Sequence, residues 1–130
     1  MQEGQIWEAV IYASAKKVDN LIAAVDVNEK QIDGSTDDVL AMGSIGAKFK
    51  AFDWEVIHVK DGNNLEAIDR AITDAKSKLG KGKPVCILLH TEMGNGVDFM
   101  MGTHKWHGVA PNDEQLLTAL AQNEETLGDF

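Results

Sequence analysis

Two apolar runs, Leu21–Val27 and Pro84–Thr91, constrain this chain more than anything else in it. Both are short, aliphatic and almost uninterrupted by polar residues. A strand with one wet face alternates apolar and polar residues, whereas a strand covered on both faces has no need to. These runs therefore predict strands of a parallel sheet, with helices on both of its faces. Trp54–Val59 alternates instead and predicts a third strand.

Helical periods fill the spaces between. Residues 5–18 place Ile6, Val10, Ala13 and Lys17 along one side, with Trp7, Ile11 and Ala15 nearby, and Asp19-Asn20 breaks the pattern. The segment from Asn28 to Thr36 is polar and reads as a loop. Residues 37–51 read as a helix capped by Thr36 or Asp37, though Gly43 and Gly46 favour two short pieces. Asn63 or Asn64 caps a helix with Leu65, Ile68, Ala71, Ile72, Ala75 and Leu79 in one stripe. A glycine-rich segment, Glu92–Pro111, precedes a last helix that starts at Asn112 or Asp113 and carries Leu116, Leu117 and Leu120. Alternating helices and buried strands, joined by right-handed crossovers, define an α/β fold with a parallel sheet. Three strands leave a strand of buried type at an edge, which calls for a preceding part of the domain or a swapped dimer.

Size and charge exclude several functions. A chain of 130 residues holds one core. A net charge of −9 excludes nucleic-acid binding through a basic surface. Lys76, Lys78, Lys81 and Lys83 gather at a predicted helix end, where cations suit the dipole. The lone Cys86, inside an apolar run, reads as a buried inert thiol. No basic-then-apolar leader and no membrane-length apolar run are present, so a reducing, cytoplasmic location is expected.

In an open parallel sheet, ligands bind beyond the C-terminal ends of the strands. Three segments should meet there: Asp26-Val27-Asn28, Lys60-Asp61-Gly62-Asn63 and His90 to Gly96. Asn28 offers a side-chain oxygen of the kind magnesium prefers, or else simply caps a turn. Gly94 and Gly96 allow close approach to a ligand, or simply form a turn. His107 is able to move protons near neutrality from an irregular segment, or is a structural loop histidine. His90 reads as a buried, hydrogen-bonded strand-end residue, and His58 as part of a packing face. Trp7 and Trp54 fall on core faces; Trp106 alone lies beside the expected site.

Several of these segments resemble one family. Gln2-Glu3-Gly4-Gln5-Ile6-Trp7-Glu8-Ala9, then Asp26-Val27-Asn28, then Gln31-Ile32-Asp33-Gly34, are similar to the thiamine diphosphate motif of transketolases. Lys105-Trp106-His107-Gly108, followed by Pro111, matches a second transketolase segment. The resemblance runs from Gln2 to about Leu120 and looks nearest to split transketolases, whose N-terminal subunit carries only the diphosphate-binding domain. It implies that residues 1–130 are a partial thiamine diphosphate-binding domain.

The resemblance also implies roles. Asn28 and the backbone carbonyl of Lys30 are metal ligands for magnesium, which holds the cofactor diphosphate. His107 reaches that diphosphate and the reacting substrate oxygen, with His104 second to it. Gly94 and Gly96 line the cofactor, and Glu3 couples paired active sites near a dimer interface. The motif's opening Gly-Asp-Gly is absent from this sequence, which removes the shell's one anionic ligand. Met93 stands where many relatives have a lysine.

The implied activity is transfer of a two-carbon ketol unit between sugar phosphates. The implied partners are a pyrimidine-binding C-terminal transketolase subunit or domain and a second copy in a homo-oligomer. Neither nucleic acid nor membrane is expected as a partner. The chain alone is expected to be inactive. The alternative is a non-enzymatic binding or assembly module that retains the fold without the cofactor.

Overall fold

A computed structural model describes residues 1–123; residues 124–130 of the expected domain lie outside the described residues. The elements in chain order are α1 (Gly4–Ala15), β1 (Ile22–Asp26), β2 (Lys30–Gln31), β3 (Gly34–Ser35), α2 (Thr36–Leu40), α3 (Ile45–Ala51), β4 (Glu55–Val59), α4 (Leu65–Lys78), β5 (Val85–Leu89) and α5 (Asp113–Gln122). β1, β5 and β4 form one parallel sheet in that spatial order, and β2 pairs with β3 in a small antiparallel ribbon. The most continuously apolar segment thus takes the central place. Val85 and Cys86 have no exposure at all, and Ile87 and Leu88 have 2% each.

Alternation along β5 divides the core into two layers. Cys86 and Leu88 face one side, where they pack with Val25, Val10 and Ala13 of α1 and Phe49 of α3. Val85 and Ile87 face the other side, with Val59 and the small residues Ala71 and Ala75 of α4. Helices therefore cover both faces, as the sequence predicts. The alanines of α4 let that helix lie close to the sheet, and Ala75 is fully buried.

The first apolar run supplies the expected edge strand of buried type. It reads as a strand covered on both faces, but β1 lies at an edge of the described sheet. Only Val25 is buried there; Leu21 and Ala24 are exposed. The expected helix over 37–51 is two helices, because Gly43 at φ +56° turns the chain between them. Serines cap both pieces: the Ser35 hydroxyl accepts the Asp38 N–H at 3.1 Å, and the Ser44 hydroxyl accepts that of Ala47 at 3.1 Å. Ser35 thus replaces the expected Thr36 or Asp37 cap. The 28–36 loop contains the β2–β3 ribbon, which no period announces. Asn64 caps α4, and Asn112 with Gln115 forms a reciprocal capping box at α5. The leucines of α5 lie open, with Leu117 70% and Leu120 60% exposed; the residue this helix buries is Ala119.

Cys86 fills the sheet centre as a small apolar group. Burial pushes its thiol up to about 12. The unfolded chain ionises this thiol near its ordinary value of 9.0, while the folded chain resists. The buried neutral thiol thus adds no pH dependence below pH 9. Stability attributable to it falls as pH rises from there towards 12. Urea midpoints should therefore drop more steeply for the native chain than for Cys86→Ala above pH 9, and an equal slope would remove Cys86 as the cause.

Candidate functional site

The three expected segments do converge beyond the strand ends. Asn28, Lys60, Asp61, His90, Glu92 and Asn95 line one cavity of about 390 Å³ there. A second cavity of about 390 Å³ lies beside it, bordered by Gln2, Asp26, Asp37, Met42 and Ile45. Val27, Asn28, Glu29 and Lys30 line both. Asn28 therefore stands on the partition between two clefts.

Local geometry fixes that partition. The Asn28 side-chain oxygen accepts the backbone N–H of Lys30 at 2.9 Å, an Asx turn. Its amide nitrogen donates to the Asp26 carboxylate at 3.2 Å. Between them Glu29 holds φ +58°, a left-handed conformation that costs a non-glycine residue about 1 kcal/mol. The Glu29 carbonyl accepts the Thr36 N–H at 3.0 Å, which ties the turn to the start of α2. The Thr91 hydroxyl donates to the other oxygen of Asp26 and joins the ends of β1 and β5. Strained backbone that its surroundings over-determine is characteristic of ligand-binding turns.

Other lining groups are held as firmly. The Asn63 side-chain oxygen accepts the Glu92 N–H at 2.7 Å, and the Gly62 N–H donates to the His90 carbonyl at 2.7 Å. His90 is half-buried rather than buried. Its ring lies parallel to that of His58 with centroids 5.6 Å apart, and the nearest ring nitrogens are separated by 3.3 Å.

The long segment after β5 folds on itself. The Glu92 carboxylate accepts the Gly102 N–H at 2.8 Å. Asp98 and the Gln122 side chain exchange two bonds of 2.8 Å, which pins the segment to α5. Trp106 packs edge-on against Phe99 and donates its indole N–H to the Phe99 carbonyl at 2.9 Å. The His107 N–H donates to the His104 carbonyl at 3.0 Å, so the two histidines share one turn. His104 is half-buried and His107 exposed. Neither of them lines the two cavities, nor do Gly94 and Gly96, whereas their neighbours Glu92 and Asn95 line one. Glu3 occupies the N-cap position of α1 without capping it and is exposed; Met1 and Gln2 beside it border the second cavity.

Asn28 and Lys30 are thus brought together, and His104 and His107 line neither of the clefts that they share. Sequence reasoning placed Asp26 and Thr91 at strand ends but gave them no role. The signal for one was available, since Asp26 precedes Asn28 by two residues on the strand that carries it to the cleft. Among the described residues no three His, Cys, Asp or Glu side chains gather into a metal cage. The side-chain oxygen of Asn28 and the carbonyl of Lys30, beside open clefts, are of the kind that magnesium takes in small number, with water and phosphate completing the shell.

Comparison with known proteins gives a consistent result. The family model described as the transketolase thiamine diphosphate binding domain matches residues 1–126. The chain is 38% identical over 123 residues to a 6-deoxy-6-sulfo-D-fructose transketolase subunit of Clostridium sp. (strain MSTE9), covering 95% of this chain and 44% of that protein. It is 35% identical over 127 residues to an apulose-4-phosphate transketolase subunit of Phocaeicola vulgatus, covering 96% and 43%. The chain thus spans less than half the length of these relatives. Among solved structures, the Pichia stipitis transketolase complex with sedoheptulose-7-phosphate superposes with a TM-score of 0.84 at 31% identity, covering 93% of this chain and 18% of that one. The Leishmania mexicana transketolase gives 0.83 at 32% identity, covering 92% and 18%.

Proposed function

The chain belongs to the transketolase family through its thiamine diphosphate-binding domain, and from that premise we propose that it is the diphosphate-binding part of a split transketolase. In this reading it contributes to transfer of a two-carbon ketol unit between sugar phosphates. The observation that carries the reading is Asn28, fixed in its turn on the partition between two clefts at the sheet's C-terminal edge.

Asn28 and the Lys30 carbonyl hold magnesium, and through it the cofactor diphosphate. Lys30 and Lys60 line the same cleft, beside Glu29, Asp61 and Glu92, and offer ammonium groups to a diphosphate where Met93 offers none. When bound, thiamine diphosphate supplies the carbanion chemistry, and the protein supplies binding, orientation and electrostatics. His107, with His104 behind it, orients the diphosphate and holds a proton near the reacting substrate oxygen. Gly94 and Gly96 flank Asn95 and form the turn that carries it to the cleft, and Glu3 faces a second copy in a homo-oligomer. A pyrimidine-binding C-terminal subunit completes the active site, so this chain alone does not turn over substrate. Two of the relatives are themselves named as subunits, which supports such a partner. Among the described residues no helix is long and apolar enough to cross a membrane, and the working location is the cytoplasm.

Calorimetric titration of the purified chain with thiamine diphosphate and magnesium tests this. Magnesium-dependent binding is expected, and Asn28→Ala should weaken it about tenfold or more. Affinity unchanged in Asn28→Ala would refute the metal assignment. A second reading, a binding or assembly module without cofactor, is favoured by the exposed leucines of α5 and the open edge of β1. Magnesium-independent silence from a folded chain would select it.

A further inference from the structure

We infer that Asp26, anchored by Thr91, is the positioning residue that sets which end of the Asn28 amide is presented as an oxygen. The inference rests on the proposed role of Asn28. An asparagine amide has two nearly isosteric orientations, and only its partners distinguish them. Here both partners agree. The Lys30 N–H is a donor and faces the Asn28 oxygen at 2.9 Å. The Asp26 carboxylate accepts only, and faces the Asn28 amide nitrogen at 3.2 Å. A reversed amide would set oxygen against carboxylate and N–H against N–H, losing two hydrogen bonds and gaining two repulsions.

Asp26 holds this position because its other oxygen is taken. The Thr91 hydroxyl, two residues past the end of β5, donates to it. β1 and β5 are in register there, with Asp26 opposite Leu89 and the Val27 N–H bonded to the Leu89 carbonyl at 2.8 Å. The carboxylate is therefore fixed to the sheet rather than free in the cleft. Each of its oxygens receives a donor, from Asn28 and from Thr91, and the part assigned to it is to orient Asn28. The arrangement resembles a histidine ligand whose second nitrogen is held by a carboxylate, where loss of the outer group lowers metal affinity tenfold to a hundredfold.

Asp26→Ala and Asp26→Asn separate orientation from charge. In Asp26→Asn the new side chain accepts from Asn28 through its oxygen and donates to the Thr91 hydroxyl through its nitrogen, so the network survives without the charge. Two readouts are taken on the full chain: the side-chain amide signals of Asn28 by NMR, and titration with thiamine diphosphate and magnesium. In the native chain one Asn28 amide proton should be shifted downfield and protected from exchange by the Asp26 bond. Asp26→Ala should lose that shift and weaken binding about tenfold. Asp26→Asn should retain both to within about twofold, and Thr91→Val should fall between. The remaining amide spectrum reports whether each variant is folded. Native-like Asn28 signals in Asp26→Ala would overturn the inference. So would Asp26→Asn binding as weakly as Asp26→Ala with its amide signals retained, because the carboxylate would then act as a charge. Should the native chain bind no cofactor, the proposed function falls while the amide signals still decide the orientation. Lost in Asp26→Ala and kept in Asp26→Asn, they uphold it; unchanged in both, they end it.

Discussion

Trp54→Ala should destabilise the fold by about 3–5 kcal/mol, the range for a buried tryptophan truncated in place. Trp54 stands just before β4 with only 5% of its surface exposed. Its ring meets Phe49 edge-on at 5.2 Å, and Phe49 in turn contacts Trp7 of α1 at 5.6 Å. The indole N–H crosses 44 residues of sequence to donate to the Val10 carbonyl at 2.9 Å. One side chain, just before β4, thus locks α1 and α3 onto the same face of the sheet. Truncation removes the ring, the aromatic contact and the donor together, and the rigid β5 beneath cannot move in to fill the space. Since domains of this kind are stable by about 5–15 kcal/mol, the variant should lose a large share of its urea midpoint. Trp54→Phe keeps an aromatic ring against Phe49 and loses the donor, so it should cost about 1–3 kcal/mol. Equal midpoints for native chain and Trp54→Ala would show that this corner does not carry the face.

The aliphatic runs announced the sheet because burial on both faces leaves a signature that needs no partner to be read. Val85 to Leu88 are central and completely covered, as their composition requires. At Leu21–Val27 the same signature falls on an edge of the three-stranded sheet, where a strand of buried type is expected to lie. Composition records the environment a strand is suited to, and the described residues give β1 a neighbour on one side only. The strand ends met at one cleft because parallel topology forces them to, and the identities of Asn28, Asp61 and Glu92 followed from counting along each strand. What remained hidden was side-chain geometry. No period shows that Asp26 is held by Thr91, 65 positions later, because the contact arises only when β1 and β5 come into register. The stacked histidines escaped for the same reason: His58 lies in β4 and His90 just past the end of β5, and they meet only once β4 and β5 pair. The β2–β3 ribbon is too short for any period. Gly43 was legible as a weak point in a helix, but that Ser35 and Ser44 would cap the two pieces depended on where the turn fell.

Gly94 separates the needs of a ligand from the needs of the fold. Glycine there reads from sequence as room for a cofactor, yet the chain itself occupies that room. A Cβ on Gly94 would lie 2.6 Å from the Met100 Cβ and 2.9 Å from the Met100 carbonyl carbon and oxygen. Backbone atoms cannot step aside as the end of a flexible side chain does. The residue also holds φ +76°, where an L side chain costs about 1–2 kcal/mol. Overpacking adds about 1–3 kcal/mol, so Gly94→Ala should cost about 2–5 kcal/mol before any ligand is present. Gly102 provides the control. It holds φ +70° with nothing within 4 Å of an added Cβ, so Gly102→Ala carries the backbone cost alone. The difference between the two variants isolates the close approach to Met100. Hydrogen exchange locates it, because the Val97 N–H donates to the Gly94 carbonyl at 3.0 Å and the Met100 N–H to the Val97 carbonyl at 2.9 Å. Those two amides should exchange at least tenfold faster in Gly94→Ala and remain near native in Gly102→Ala. If the two variants behave alike, the turn is not closed against Met100 and the space at Gly94 is left for a bound molecule. If they differ as expected, glycine at this position is required to fold the segment that carries Asn95 to the cleft, whatever then binds beside it.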